Sequence, residues 1–159
     1  MVVTVTDITI GRIRAEDLGQ AMAILAAWNM APRAADETTP EVERSELDMS
    51  RTFVARAGDR VVGVASYIVH DAALAETASL AVDPSVRGAG VGARLQQARL
   101  DEMRALGIQR VRTETDRPET IDWYIRKFGY RRVGTNPKKH DFSLDDVKEW
   151  TVLELDLNS

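Results

Sequence analysis

The sequence predicts a single α/β (α+β) domain over residues 1–159, and three observations carry that prediction. Several short segments alternate apolar and polar residues, as half-buried strands do. Others place apolar residues at i, i+3, i+4 and i+7, the stripe of an amphipathic helix. The two kinds interleave along 159 residues, of which 44% are hydrophobic, enough for one core, and 29% are charged, enough for a soluble surface.

Asp7–Arg14 reads as the first strand, with Ile8, Ile10 and Ile13 as its apolar residues. From Ala15 the period changes. Leu18, Ala21, Met22 and Leu25 share one helical face, continued at its end by Trp28 and Asn29. Pro32 and Pro40 bracket a polar loop, and a short helix is expected over 41–49. Residues 51–70 read as two strands joined by a hairpin turn at Ala57-Gly58-Asp59-Arg60. A third strand, Leu74–Val82, ends at Asp83-Pro84.

Helix resumes from Gly90 to Leu106, with Val91, Leu95, Ala98 and Leu106 roughly on one face, and Gly107 stops it. Ile108–Thr115 is a strand. Pro118 suits the first turn of the next helix, whose stripe is Ile121, Tyr124, Ile125 and Phe128, and Gly129 ends it. Glu149–Leu157 closes the series as an alternating strand. The order β-α-α-β-β-β-α-β-α-β-β puts antiparallel hairpins first and one β-α-β crossover in the middle.

Composition removes several function classes. The 21 Lys and Arg against 25 Asp and Glu leave a formal net charge of −4, unlike the basic surface used for non-specific nucleic-acid binding. With no cysteine there is no disulfide, thiolate metal site or cysteine nucleophile, as suits a reducing compartment. The two histidines, His70 and His140, lie far apart and make no metal-ligand spacing. No run reaches membrane-spanning length. The expectation is a soluble cytoplasmic protein without a metal, nucleic-acid or membrane partner.

The stretch VDPSVRGAGVGARL, Val82–Leu95, holds the functional signal: glycines and arginines between a strand and a helix. A Walker A loop needs Lys-Ser/Thr after its last glycine, and Gly92 is followed by Ala93-Arg94. A dinucleotide fingerprint is met literally by Gly88, Gly90 and Ala93, with Glu114 or Asp116 as the ribose-binding acid. Its first glycine normally follows the strand directly, whereas Asp83–Arg87 intervene here. A third reading is an anion site, where loop N–H groups and the positive end of the following helix converge on a pyrophosphate and Arg87 and Arg94 add charge. A plain glycine turn that starts a helix fits the same residues.

Arg87-Gly88-Ala89-Gly90-Val91-Gly92, with LAVDP ahead of it, resembles motif A of the GCN5-related N-acetyltransferase (GNAT) superfamily, Arg/Gln-x-x-Gly-x-Gly/Ala. Downstream, IDWYIRKFGYRRVG resembles the family's motif B through Trp123-Tyr124 and Gly129-Tyr130. The element order is also similar, from residue 7 onward. The resemblance implies a mixed, mostly antiparallel sheet with a splayed pair of parallel strands and flanking helices, and acetyl-CoA as cosubstrate. It assigns Leu80 and Val82 to the pantetheine arm, with the Leu80 amide facing the thioester oxygen. It assigns Arg87, Gly88, Ala89, Gly90, Val91 and Gly92 to the pyrophosphate and Lys127 to the 3′-phosphate.

The same resemblance implies that Tyr124 is the general acid for the departing thiolate and Glu76 the general base for the amine, commonly through water. Tyr124 also lies on the apolar stripe of its helix and fits a plain core residue. Glu76 shares a strand face with Ala78, Leu80 and Val82 by period two, and equally fits an exposed or ion-paired carboxylate. Glu114, on the adjacent strand, is the second candidate for the general base and a candidate for binding the acceptor. Trp28 ends the helix that borders the acceptor pocket in this family, so it is either a wall of that pocket or a packing residue. Arg117 and Thr120 stand where motif B often has Asn and Ala, so that Asn contact is not carried over. Arg126, Arg131, Arg132, Lys138 and Lys139 read mostly as solvated surface, and His70 as structural or exposed.

The implied activity is acetyl transfer from acetyl-CoA to a primary amine of a small molecule, directly, in a ternary complex. An acyl-cysteine route is impossible without cysteine. The alternatives are acetylation of a protein N-terminus or lysine, and a non-catalytic acyl-CoA sensor on the same fold. A homodimer is a further expectation, with Glu149–Leu157 at its interface.

Overall fold

The computed structural model describes residues 7–28, 48–86, 88–137 and 148–157. Within them lie β1 (Ile8–Arg12), α1 (Leu18–Ala27), β2 (Thr52–Ala57), β3 (Arg60–Val69), β4 (Leu74–Val82), α2 (Val91–Ala105), β5 (Arg110–Thr115), α3 (Pro118–Phe128), β6 (Arg131–Pro137) and β7 (Glu149–Asp156). Hydrogen-bonded strands follow the order β1-β2-β3-β4-β5-β7-β6, and β4-β5 is the parallel pair in an otherwise antiparallel sheet. The fold class is the one the sequence predicts, and the described elements follow the expected order. The short helix expected over 41–49 falls, except for Asp48 and Met49, outside the described residues. Among the described residues no helix is long and apolar enough to cross a membrane, and none of the His, Asp and Glu side chains cluster as metal ligands.

The chain divides into two compact units, the first comprising Met1–Ser66 and Ser79–Arg99 and the second Tyr67–Ala78 and Leu100–Ser159. In the first, β1 pairs with β2 from Ile8↔Ala57 to Arg12↔Phe53, and β2 pairs with β3 across a turn in which Gly58 has φ 63°. Period two sends strand residues to two cores, and a bulge opposite Ala55/Arg56 shifts the phase of β3, so Val62 and Val64 leave on opposite sides. Val54, Val64 and Ala81 pack with Ala21, Ile24 and Leu25 of α1, while Ala55, Val62 and Ala65 pack with Val91 and Leu95 of α2. β3 is covered on both sides, which explains its run of seven buried residues. Gly63 permits the close approach of α2: an added Cβ there would stand 2.9 Å from Leu95 Cδ1 and 3.2 Å from Val91 Cγ1.

In the second unit, β4 and β5 pair from Leu74↔Arg110 to Thr77↔Thr113. The ladder ends there while β4 continues to Val82. β7 is bonded on both edges, to β5 and to β6. α3 starts with Pro118 in its first turn and stops at Gly129, whose φ of 79° lets its N–H reach the Ile125 carbonyl at 3.2 Å. Its apolar face carries an aromatic group: the Tyr124 ring lies 5.0 Å from Trp123 and 4.9 Å from Tyr130, centroid to centroid.

The predicted face of α2 needs correction. Val91 and Leu95 are buried, but Leu106 is 56% exposed, and the buried positions continue through Gln96, Arg99, Leu100 and Met103. The helix ends at Ala105, so Leu106 falls in the turn that follows it and is carried out to solvent although its spacing matches the buried face.

Candidate functional site

In the first unit the glycine-rich segment follows a braced turn. Asp83 N–H donates to the Val62 carbonyl at 2.8 Å, and Asp83 Oδ1 accepts from Ser85 N–H at 2.9 Å. Arg60 Nη2 donates to Asp83 Oδ2 at 3.1 Å and to Ser85 Oγ at 2.8 Å. The hydrogen bonds from Ser85, followed by the nearby Arg60 cation, hold the Asp83 carboxyl below its usual range. Beyond this brace, Gly88 and Gly90 take φ of 87° and 78°, and no heavy atom stands within 4 Å of a Cβ added to either. Their glycine identity therefore answers to backbone conformation, and the space each Cβ would enter is open. The N–H groups of Val91, Gly92 and Ala93 open that turn and have no intrahelical acceptor. Ala89 N–H is already taken by the Val86 carbonyl at 3.2 Å, and Ala89 packs on the α2 core. Arg87 lies outside the described residues. Arg94, which the sequence puts among the phosphate charges, directs Nη1 to the Ile8 carbonyl at 2.9 Å.

Leu80 and Val82 pack their half-buried side chains on the α2 core. Trp28 packs against the α1 core and donates from Nε1 to the Val82 carbonyl at 3.1 Å. The structure thus brings together two residues singled out for different reasons, one as acceptor wall and one as coenzyme strand. Just before Leu80 the strand is irregular. Ser79 N–H donates to the Ser66 hydroxyl at 3.3 Å, and the carbonyls of Ser66 and Ser79 both accept from Arg99 Nη1, at 2.8 and 3.1 Å. Arg99 is fully buried and braced at Nη2 by Gln96 Oε1 at 2.5 Å. Sequence reasoning missed it, although Val91, Leu95 and Arg99 follow one another at i+4.

In the second unit, Glu76 is partnered by His70: Nε2 lies 2.9 Å from Oε1, a bond that a carboxylate can only accept. A tight turn sets His70. Its N–H donates to the Leu74 carbonyl at 2.9 Å, and Asp71 Oδ1 accepts from Ala73 and Leu74 N–H at 2.7 and 2.9 Å. Those two backbone donors hold the Asp71 carboxyl below its ordinary value. His70 is exposed, as the sequence suggests, and the signal for its bond to Glu76 is the turn-forming Asp71 between two strands. Glu114 Oε1 accepts from Asn136 Nδ2 at 2.8 Å. Tyr124 is buried in the aromatic group, and Lys127 is exposed on the last turn of α3.

The sequence model described as the acetyltransferase (GNAT) family matches residues 21–130. An N-acetyltransferase from Staphylococcus aureus Mu50 superposes with TM-score 0.70 at 23% identity, covering 94% of this chain and 98% of its own. The ribosomal-protein-S18-alanine N-acetyltransferase from Escherichia coli gives 0.68 at 19% identity, covering 94% of each chain. N-acetylglutamate synthase from Neisseria gonorrhoeae, complexed with coenzyme A and L-arginine, gives 0.67 at 19% identity over 96% of this chain and 34% of its own. No curated protein sequence matches the chain.

Proposed function

Because the chain belongs to the acetyltransferase (GNAT) family, we propose that it transfers the acetyl group of acetyl-CoA to a primary amine of a small molecule, directly, within a ternary complex. The observation that carries this reading is the pair of positive-φ glycines, Gly88 and Gly90, which lie just before α2 in sequence and have open space at their Cβ positions. A pyrophosphate suits that arrangement, because backbone N–H groups and the helix dipole both favour an anion. Gly88, Ala89, Gly90, Val91 and Gly92 hold it in this reading, joined by Arg87, with Lys127 for the 3′-phosphate.

Acetyl-CoA supplies an acetyl thioester, and the chain's own groups do the rest. Glu76 takes the proton from the acceptor's ammonium, directly or through a water, which frees the nitrogen lone pair. The backbone N–H of Leu80 polarises the carbonyl to be attacked, and Val82 aligns the pantetheine arm. Tyr124 donates its phenolic proton to the leaving sulfur as the C–N bond forms and the C–S bond breaks, and the second proton shed by the nitrogen restores the Tyr124 hydroxyl through water. Trp28 and Glu114 border the acceptor. The reaction as a whole releases one proton to solvent.

The test is amine-dependent thiol release from acetyl-CoA, with the acetylated amine identified by mass spectrometry. Turnover by the native protein, together with loss of at least about 10²-fold in kcat for Tyr124→Phe at unchanged acetyl-CoA affinity, is the expected result. Tight acetyl-CoA binding with no thiol release for any amine identifies a sensor instead. Release driven only by peptide N-termini moves the acceptor to proteins.

A further inference from the structure

We infer that Arg112 anchors a carboxylate on the acceptor, so that the acceptor is an amino acid or close relative carrying its amine and its carboxylate on one small skeleton. The inference rests on the acetyltransferase reading above and names the substrate class of that reaction.

Three strands of the second unit put Arg112 in a row of charges. It is the register partner of Glu76 on β4 and of Glu154 on β7, so the three side chains leave the same face of the sheet. Either carboxylate looks like a natural partner for the guanidinium, yet each is engaged elsewhere. Glu76 Oε1 is 2.9 Å from His70 Nε2, and Glu154 Oε1 is 3.7 Å from Arg110 Nη1. Among the described residues Arg112 makes no ion pair, and its Nε is buried without a hydrogen-bond partner. Burying a guanidinium donor unpaired is costly, and the chemical group that relieves the cost is a planar anion matching the guanidinium fork.

The neighbourhood selects which anion. Glu76, the residue assigned to receive the ammonium proton, stands one strand away, and neighbouring strands are about 4.8 Å apart. An α-amino acid separates its nitrogen from its carboxyl carbon by roughly 2.5 Å, from ordinary bond lengths and angle. Its ammonium therefore reaches Glu76 while its carboxylate reaches Arg112. His70 takes one oxygen of Glu76 and leaves the other for the ammonium; with Glu154 held by Arg110, Arg112 is the cation left for the carboxylate. A peptide N-terminus offers a neutral carbonyl at the same place and leaves that cation uncompensated.

The experiment is a panel of the common L-amino acids, each beside its own amide, assayed for thiol release at saturating acetyl-CoA with the native protein, Arg112→Gln and Arg112→Lys. Acetyl-CoA affinity and thermal unfolding are measured on all three. The inference expects kcat/KM for the best acid to exceed that of its amide by roughly 10²-fold or more. Arg112→Gln then lowers the acid by a similar factor, leaves the amide within about threefold, and Arg112→Lys falls between. Amides used as well as acids, equal loss on both in Arg112→Gln, or acetyl-CoA binding without acetylation of any acid overturns the inference and leaves the acetyltransferase reading standing. Failure to bind acetyl-CoA at all overturns that reading itself. Should Arg112→Gln not fold, the acid-to-amide ratio of the native protein and of Arg112→Lys decides the matter.

Discussion

The indole Nε1 of Trp28 donates a hydrogen bond to the backbone carbonyl of Val82 at 3.1 Å, tying the end of α1 to the end of β4. A bond of this neutral kind contributes about 0.5–1.5 kcal/mol. Trp28→Phe keeps most of the buried ring and removes the donor. If the bond holds the coenzyme-facing end of β4 in place, titration calorimetry will show acetyl-CoA binding weakened by roughly 2–10-fold, in proportion to the lost bond. An unchanged Kd in a folded variant takes Trp28 out of the coenzyme site and leaves it as packing.

Gly88 and Gly90 sit at φ of 87° and 78° with open space where a Cβ would go. Alanine at either position costs about 1–2 kcal/mol of backbone strain, and the new methyl group fills the space assigned to the pyrophosphate. Gly58, at φ 63° in the β2-β3 turn, carries the same strain far along the sequence from the glycine-rich segment. All three alanine variants should lose similar stability, and only those at 88 and 90 should lose coenzyme affinity, by roughly tenfold or more. Equal affinity in all three would return the segment to a simple turn.

Glu76 and His70 are joined at 2.9 Å, which fixes one oxygen of the proposed base. Glu76→Gln removes the proton acceptor and keeps the shape. Near neutral pH, kcat/KM should fall by roughly 10²-fold. The deficit should shrink as pH rises, because the acceptor amine then loses its proton without help. A deficit that stays constant from pH 7 to pH 10 means that Glu76 serves structure and not proton transfer.

Asp17 is buried under the guanidinium of Arg56, which bonds both carboxylate oxygens, and accepts Arg14 N–H at 2.8 Å. The Arg56 bonds, against the opposing cost of burial, pull its pKa down to about 2. Since the folded value lies below the unfolded one, the stabilisation is complete above about pH 4 and is lost as pH falls towards 2. Allowing for screening, it amounts to about 1–2 kcal/mol at neutral pH. Denaturant unfolding of Asp17→Asn should show that loss at pH 7 and little difference from the native protein near pH 2. A constant gap across this range would contradict the assignment.

Much of the fold was legible because period and punctuation agree. Pro118 and Gly129 bracket α3, Gly58 marks the hairpin, and the glycine-rich segment falls between β4 and α2. What was not legible depends on polar groups that alternation ignores. Arg99 occupies an apolar-looking place on α2 because two strand carbonyls, at Ser66 and Ser79, need a donor there. His70 meets Glu76 only through a turn that folds one strand end over another, and Arg94 goes to the Ile8 carbonyl 86 residues away. The Arg99 and Arg94 bonds span 20 to 86 residues, so neither periodicity nor a local motif encodes them, whereas the signal for the His70–Glu76 pair is the local Asp71 turn. Arg112 escaped notice for the opposite reason: a charged residue on a half-buried strand face looks ordinary until its neighbours prove to be engaged elsewhere.

The central claim is that the open space before α2 receives the pyrophosphate of acetyl-CoA, and thermal unfolding with acetyl-CoA, NADH or buffer alone tests it most directly. A ligand at about 100 times its Kd adds roughly 2.7 kcal/mol, which for a chain of this size raises Tm by roughly 5–10 °C. The account predicts that rise with acetyl-CoA and none with NADH. A rise with NADH alone would restore the dinucleotide reading of Gly88, Gly90 and Ala93, and no rise with either would contradict the coenzyme site.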